Sequence, residues 1–392
     1  MKKVVLAYSG GLDTSCAVRW IHDTYEAEVI CFSAFLGEVS DRKVLVRRAR
    51  SAGASKIYIE DLKSEFARDF IRPALWAHAR YEGRYLLATA LGRPLIAKHL
   101  VRVAAKEKAD CVAHGCTGKG NDQVRIELGV RTLNPKLKII APLREWGFNS
   151  REEEIDYAKK HGILVSATKK SPYSIDKNIW GAAIEAGILE DPWKEPPEDA
   201  FFMTKSLDQV PRKPFYLTIG FKVGLPVSLN GKAMAFVALI ERLNELGGRY
   251  GVGRMDQIEN RLVGIKSREL YEAPAATILH LAHQELEGFV SDRDFIHYKR
   301  VLSEKYSELV YYGLWFTPLR EALDRFFASQ QKKVTGTIKI KLEQGNATVV
   351  GRKSPHSLYS ERLATYSAKD EFDRKAAEGF MKIWGLPYEG RK

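Results

Sequence analysis

Cysteine is scarce in this chain of 392 residues, with four, at 16, 31, 111 and 116. None forms a Cys-x-x-Cys pair and no His/Cys cluster has metal-ligand spacing. A disulfide framework and a zinc knuckle are both excluded, and reduced thiols are expected. Cys111 and Cys116 fall near a candidate site but read as small packed residues. No run of about 18 apolar residues occurs, so no membrane-spanning helix is expected. Met1-Lys2-Lys3-Val4 runs straight into a first strand pattern, too soon for a leader peptide, so a cytoplasmic location is expected. Internal repeats and low-complexity tracts are missing. Acidic residues fall short of basic ones, 49 against 62, giving a net charge of +13. That excess is spread along the chain. It suits polyanionic small ligands, nucleic acid or simply a basic surface, and decides among none of them.

What is present begins with Ala7-Tyr8-Ser9-Gly10-Gly11-Leu12-Asp13-Thr14-Ser15. An apolar run, Val4-Val5-Leu6, precedes it and a helical apolar spacing, Cys16 to Ile21, follows. Strand, glycine-rich loop and helix together cradle a phosphate. Glycines let the backbone turn and approach an anion, and the N–H groups at the helix start point at it. No Lys-Ser or Lys-Thr follows the glycines, which excludes a Walker A loop. A glycine pair after a strand can also be an ordinary turn. The loop resembles the pyrophosphate loop of the N-type ATP pyrophosphatases.

The length suits two domains. Strand patterns at 4–8, 28–34, 56–60, 111–114 and 138–141 alternate with helical ones near 15–25, 41–52, 62–72, 93–108 and 151–162. This predicts an α/β fold: a parallel sheet covered by helices on both faces, with ligands at the carboxyl ends of its strands. From about residue 170 prolines at 172, 192, 196, 197, 211 and 214 mark loops and crossings. Hairpin patterns follow at 216–229 and 335–351, and helical patterns at 232–247, 275–289 and 317–331, with an amphipathic stretch at 371–384. The expected division is an ATP-binding α/β domain over 1–167, an α+β synthetase domain over 168–365 and a helical tail over 366–392.

The second informative segment is His114-Gly115-Cys116-Thr117-Gly118-Lys119-Gly120-Asn121-Asp122-Gln123-Val124-Arg125. Three glycines open the backbone. Asp122 can hold an ammonium group, and Thr117 and Asn121 a carboxylate or amide. Arg125, one helical turn past Asn121, faces the same way. Capping of a helix by Asn121 or Asp122 is the structural alternative.

Nine stretches in order identify the chain as similar to the argininosuccinate synthase family: AYSGGLDTS at 7–15, YEGRYLL at 81–87, RPLIAKHLV at 93–101, HGCTGKGNDQVR at 114–125, SPYSIDKN at 171–178, AGILEDP at 186–192, GVGRMDQIENRLVGIKSR at 251–268, ELVYYGLW at 308–315 and GRKSPHSLY at 351–359. The resemblance implies a nucleotide α-hydrolase-like domain plus a synthetase domain. It also implies a ligation in which citrulline is adenylated by ATP, releasing pyrophosphate, and aspartate then displaces AMP. Residues 7–15 would wrap ATP, with Ala34 and Gly115 on the nucleotide. Thr117, Asn121 and Asp122 would bind aspartate. Tyr85, Asn121, Arg125, Ser174, Glu259 and Tyr271 would bind citrulline. Mg²⁺ would accompany ATP, Asp13 being its one candidate protein partner. No residue is assigned as acid or base and no metal site is assigned. A homotetramer whose C-terminal helix reaches a neighbour is implied, with neither membrane nor nucleic acid as partner.

Four departures stand out. Ala90 and Ala183 replace serines that the family uses toward citrulline, with Thr89 beside the first. Phe35-Leu36-Gly37-Glu38 replaces an Asp/Asn-led Gly-Gln stretch, and Ala273-Pro274-Ala275-Ala276 replaces a glycine-rich one. Two lost hydrogen bonds, each about 0.5–1.5 kcal/mol, would weaken citrulline binding by roughly 5- to 150-fold. A relative acting on another ureido acid or amine therefore stays open, as does an RNA-modifying adenylating enzyme. Against the latter stand the absent cysteine pair and the absent RNA-binding module.

Overall fold

The computed structural model describes residues 2–37, 41–148, 150–165 and 173–390. Glu38 and the boundary at 167/168 lie outside the described residues.

The first half follows the alternation. It runs β1 Lys3–Ala7, α1 Leu12–Tyr25, β2 Glu28–Phe35, α2 Arg42–Ser51 and β3 Lys56–Asp61. A short α3, Lys63–Glu65, passes through a π-helical turn, Phe66–Ile71, into α4, Arg72–Trp76. Then come α5 Ala88–Glu107, β4 Cys111–Ala113, α6 Asn121–Leu133, β5 Lys138–Ile140, α7 Pro142–Glu145 and α8 Arg151–Lys160. The five strands pair in parallel in the order β3-β2-β1-β4-β5. Order reverses between β1 and β4, and a crevice opens there at the carboxyl ends. Both glycine-rich loops leave from those two strands. Side chains alternate across the sheet, so Val5 joins one core while Val4 and Leu6 join the other.

The helix expected at 93–108 begins at Ala88. Pro94, which suggests a first-turn position, lies inside it. Its missing N–H leaves one carbonyl of the preceding turn without its helical partner.

The second half holds β6 Ser174–Asn178, β7 Gly181–Glu185, β8 Phe215–Lys222, β9 Leu225–Leu229, β10 Lys232–Ala233, α9 Phe236–Arg249, β11 Arg254–Asn260, β12 Lys266–Glu272, α10 Pro274–Val290, α11 Arg293–Tyr311, α12 Pro318–Gln330, β13 Gly336–Glu343, β14 Asn346–Lys353, α13 Glu361–Ala364 and α14 Arg374–Gly385. The two expected hairpins combine into one antiparallel sheet, β10-β9-β8-β13-β14. A second antiparallel sheet, β11-β12-β7-β6, is not foreshadowed: its outer strands β6 and β11 are polar and partly exposed, and β7 is short with small residues. The expected glycine-rich departure at 273–276 becomes the start of α10, with Pro274 at its first position, where proline is favoured.

The β6–β7 hairpin ties the halves together. The Ile179 N–H donates to the Leu36 carbonyl (2.8 Å), Asn178 Nδ2 to the Ala88 carbonyl (2.7 Å) and the fully buried Trp180 indole to the Leu86 carbonyl (3.1 Å). A Cβ on Gly37 would stand 2.9 Å from Asn178 Cα, so the glycine that this stretch keeps makes room for the hairpin, while the departure rests on Phe35 and Glu38. One hydrophobic core runs from Val5 to Leu342 through both halves. Among the described residues no helix is long and apolar enough to cross a membrane.

Candidate active site

The first loop leaves β1 and turns at Gly10, whose φ of +78° and 2.3 Å virtual Cβ approach to Leu45 demand glycine. Arg48 Nη1 holds the Gly10 carbonyl at 3.0 Å. Ser9 and Thr14 hydroxyls lie 3.0 Å apart, and the Tyr8 and Ser15 hydroxyls 3.1 Å. Gly11 stands at the N-cap of α1 with no side-chain cap, which leaves that helix start open to an anion. Asp13, in the first turn, faces Glu154 of α8. Burial, then the Asp13 charge and a hydrogen bond to it, push the Glu154 carboxyl up to about 7. Glu154 Oε2 is buried without a partner among the described residues.

The second loop leaves β4 and lies against the first. A Cβ on Gly115 would meet Thr14 Cγ2 at 2.8 Å. His114 Nδ1 accepts from the Cys116 N–H (3.3 Å) while Nε2 lies 3.2 Å from Glu127, and Gln123 Nε2 donates to the Gly118 carbonyl (2.6 Å), so the loop is braced from within. Gly120 is the N-cap of α6 and no side chain caps it, which removes the capping alternative for Asn121 and Asp122. Burial and then the Asp122 charge push the Cys116 thiol up to about 12, so it offers no thiolate.

From Gly120 the chain enters a cleft of about 90 Å³ between the halves, lined by Tyr85, Asn121, Asp122, Arg125, Glu259 and Tyr271 among others. Asn121 spans it, with Nδ2 on the Tyr311 hydroxyl (2.8 Å) and Oδ1 accepting the Leu262 N–H (2.9 Å). Arg125 donates to Asp122 (2.9 Å) and to the Tyr311 carbonyl (2.9 Å). Glu259 receives the hydroxyls of Tyr271 (2.6 Å) and Tyr311 (2.5 Å), and burial raises its pKa against both. Tyr85 stacks on Tyr271 with centroids 4.0 Å apart, and Tyr81 on Tyr311 at 3.5 Å.

Asp122 is already engaged. Burial would raise its pKa, but Arg93 (2.7 Å) and Arg125 outweigh that and hold the carboxyl down to about 2. The Arg93 guanidinium also pairs with Asp176 of β6, joining the two halves through charge. Deeper in, Arg261 pairs with Glu185 and Glu269, whose carboxyl burial and the Glu185 charge raise to about 8.

Residues 8–15, Ala34 near the end of β2, and Gly115 therefore sit at the crevice of the parallel sheet. Tyr85, Asn121, Asp122, Arg125, Ser174, Glu259 and Tyr271 converge on the cleft. Thr117 is exposed and does not line it. Ala90 is fully buried, and Thr89 lines the cleft in its place with its hydroxyl 2.6 Å from that of Tyr85. Ala183 does line the cleft, opposite Tyr271 and Asp176 in the ladder. Tyr311, Arg93, Asp176 and Arg261 carry no expected role, although all lie in the nine stretches. Their signal was a charged or phenolic group within an otherwise apolar or strand-like segment.

An uncapped helix start on a parallel-sheet crevice, joined by one loop to a charged interdomain cleft, defines a nucleotide-dependent ligase. Family models describe the two halves in turn: the arginosuccinate synthase N-terminal HUP domain matches residues 3–164 and the C-terminal domain residues 173–390. The chain belongs to the argininosuccinate synthase family. It is 57% identical over 98% of its length to the argininosuccinate synthase of Symbiobacterium thermophilum, covering 96% of that protein. It is 54% identical over 98% to that of Chlorobium luteolum, again covering 96%. A solved 4-thiouridine synthetase–RNA complex with bound ATP aligns over 41% of each chain at 20% identity and TM-score 0.30, a likeness too slight to carry an argument. The activity is the ATP-dependent ligation of citrulline and aspartate to argininosuccinate, with AMP and pyrophosphate released.

Proposed function

We propose the following division of labour for that ligation. Residues 7–15, with Ala34 and Gly115, hold ATP. Thr117, Asn121 and Asp122 receive aspartate, and Tyr85, Asn121, Arg125, Ser174, Glu259 and Tyr271 receive citrulline. The observation that carries this reading is the single loop 114–125, which packs Gly115 on Thr14 and delivers Asn121, Asp122 and Arg125 to the cleft.

The chemistry fits the geometry. A ureido oxygen is a weak nucleophile and a poor leaving group. Its attack on the α-phosphorus expels pyrophosphate, whose charge the open start of α1 stabilises. The oxygen then belongs to AMP. The unprotonated aspartate amine attacks the ureido carbon, the C–O bond breaks, AMP departs with that oxygen, and its phosphate is the nearest base for the amine proton. Arg125 and Glu259 fix the citrulline ends, so most of the rate comes from positioning. Asp122, held ionised, orients the incoming ammonium before it loses its proton. Mg²⁺ enters with ATP and neutralises phosphate charge; the Asp13–Glu154 carboxylate pair suits a divalent cation there.

Residues 1–167, 168–365 and 366–392 form ATP-binding, synthetase and tail units of a cytoplasmic homotetramer with no nucleic-acid partner. Support for assembly comes from α14, whose Phe380, Ile383 and Trp384 are exposed together.

Pyrophosphate release tests the reading. Sustained release, beyond one equivalent per active site, is expected only when citrulline and aspartate are both present with ATP, because adenylation of citrulline alone frees a single pyrophosphate and then stops. Release with neither required, or preference for another ureido acid fitting the space beside Ala183, overturns the acceptor assignment.

A further inference from the structure

A larger depression, of about 580 Å³, opens away from the active cleft between α10, α11 and the segment 78–83. Ligand sites commonly fall in the range of roughly 300–1,000 Å³. Its floor is a closed polar chain. His283 Nε2 lies 2.9 Å from Gln331 Oε1, which only accepts, so that nitrogen donates. His283 Nδ1 then accepts from His78 Nε2 at 2.8 Å. Gln331 Nε2 donates to Glu287 (3.1 Å), and the Lys299 ammonium takes the other Glu287 oxygen. His78, His283 and Glu287 have the spacing of metal ligands, yet both His283 nitrogens are engaged, His78 turns a donor inward, and Lys299 already supplies a cation to Glu287.

Above this floor stands an uncompensated charge. The Arg80 side chain has no hydrogen-bond or ion-pair partner among the described residues, and its Nε is buried. Burial lowers its pKa and no neighbouring carboxylate offsets that. Glu285 is taken by Arg352 and Glu287 by Lys299. Arg300 lines the same depression, exposed, and pairs with no carboxylate among the described residues; Glu304 beside it is within ion-pair distance of neither arginine. Close by, fully buried His280 has no partner on either ring nitrogen among the described residues. A half-buried guanidinium without a counter-ion is costly, and its fork geometry matches carboxylate or phosphate oxygens.

We propose that this depression is a binding site for a small oxyanion, phosphate or carboxylate, seated on the Arg80 guanidinium with Arg300 at its mouth. The site is separate from the nucleotide loop and uses none of its residues.

Titration of the full chain by calorimetry tests it, with a non-hydrolysable ATP analogue saturating the first loop. Inorganic phosphate and succinate are titrated separately. One equivalent of at least one of them is expected to bind, and the preferred one identifies a phosphoryl or a carboxylate ligand. Arg80→Met is expected to weaken that binding about tenfold or more, and exposed Arg300→Ala severalfold, with pyrophosphate release unchanged in Arg300→Ala. Circular dichroism establishes whether Arg80→Met folds. Absence of binding by either anion overturns the site, as does undiminished affinity in whichever variants fold.

Discussion

The Tyr311 hydroxyl donates to Glu259 and accepts from Asn121, while its ring lies under the Arg125 guanidinium, 4.7 Å from the centroid. Tyr311→Phe keeps the ring and removes the hydroxyl, leaving Glu259 Oε1 and Asn121 Nδ2 each short of the hydrogen bond it makes. Each such loss costs roughly 1–3 kcal/mol. The expected outcome is a rise of about tenfold or more in KM for citrulline with KM for ATP unchanged, read in steady-state kinetics. Glu154 gives a pH prediction. Its carboxyl titrates near 7, so it is neutral below that and adds a second negative charge beside Asp13 above it. Affinity for Mg²⁺-free ATP is therefore expected to fall from pH 6 to pH 8, on the order of threefold to tenfold for a ~1 kcal/mol repulsion. Fluorescence titration of Glu154→Gln should show that fall abolished; a slope equal to the parent's removes Glu154 from the explanation.

At the scale of elements, the two glycine-rich loops act as one body because they touch. Gly115→Ala places a methyl 2.8 Å from Thr14 Cγ2, and overpacking of this kind typically costs about 1–3 kcal/mol. KM for ATP is expected to rise severalfold while the melting temperature drops by a few degrees. An unchanged KM with a lowered melting temperature would separate packing from nucleotide binding. The parallel sheet was legible to within a residue or two at each strand, since β1, β2 and β4 are apolar on both faces and buried. The sheet carrying Glu259 and Tyr271 was not. Arg254–Asn260 and Lys266–Glu272 carry charges on both faces, Glu259 and Glu269 toward the cleft and Arg254, Asp256 and Arg268 away from it, so they lack a strand's apolar signature. Helix α11, which presents Tyr311, was missed for a related reason: its first turns are mostly charged and exposed.

For the molecule as a whole, acid exposes how charge joins the halves. Asp122, flanked by Arg93 and Arg125, has its folded pKa lowered to about 2. A lowered carboxyl pKa contributes stability that is present above the unfolded value near 4 and lost as pH falls toward 2. The shift corresponds to something on the order of 2 kcal/mol. Asp122→Asn should accordingly flatten the loss of unfolding free energy between pH 4 and pH 2 in urea titrations. The tail makes a separate prediction. No residue of α14 is buried, although Phe380, Met381, Ile383 and Trp384 form an apolar face. A chain ending at residue 365 should keep its melting behaviour at high dilution but elute at lower mass in size-exclusion chromatography with light scattering; an unchanged mass rejects the tail as an assembly element.

The sequence by itself determined the phosphate loop, the parallel sheet beneath it and the family, because these rest on local signals: glycine conformations, apolar runs and residue order. Only the tertiary structure decided which charges meet. Arg93 reaches Asp122 and Asp176, Tyr311 reaches Glu259, and Arg80 reaches no counter-ion among the described residues. Those pairings join residues 29 to 83 positions apart on separate elements, and desolvation helps to set their charge states. Both are properties of the packed chain, and neither is written in any local stretch of it.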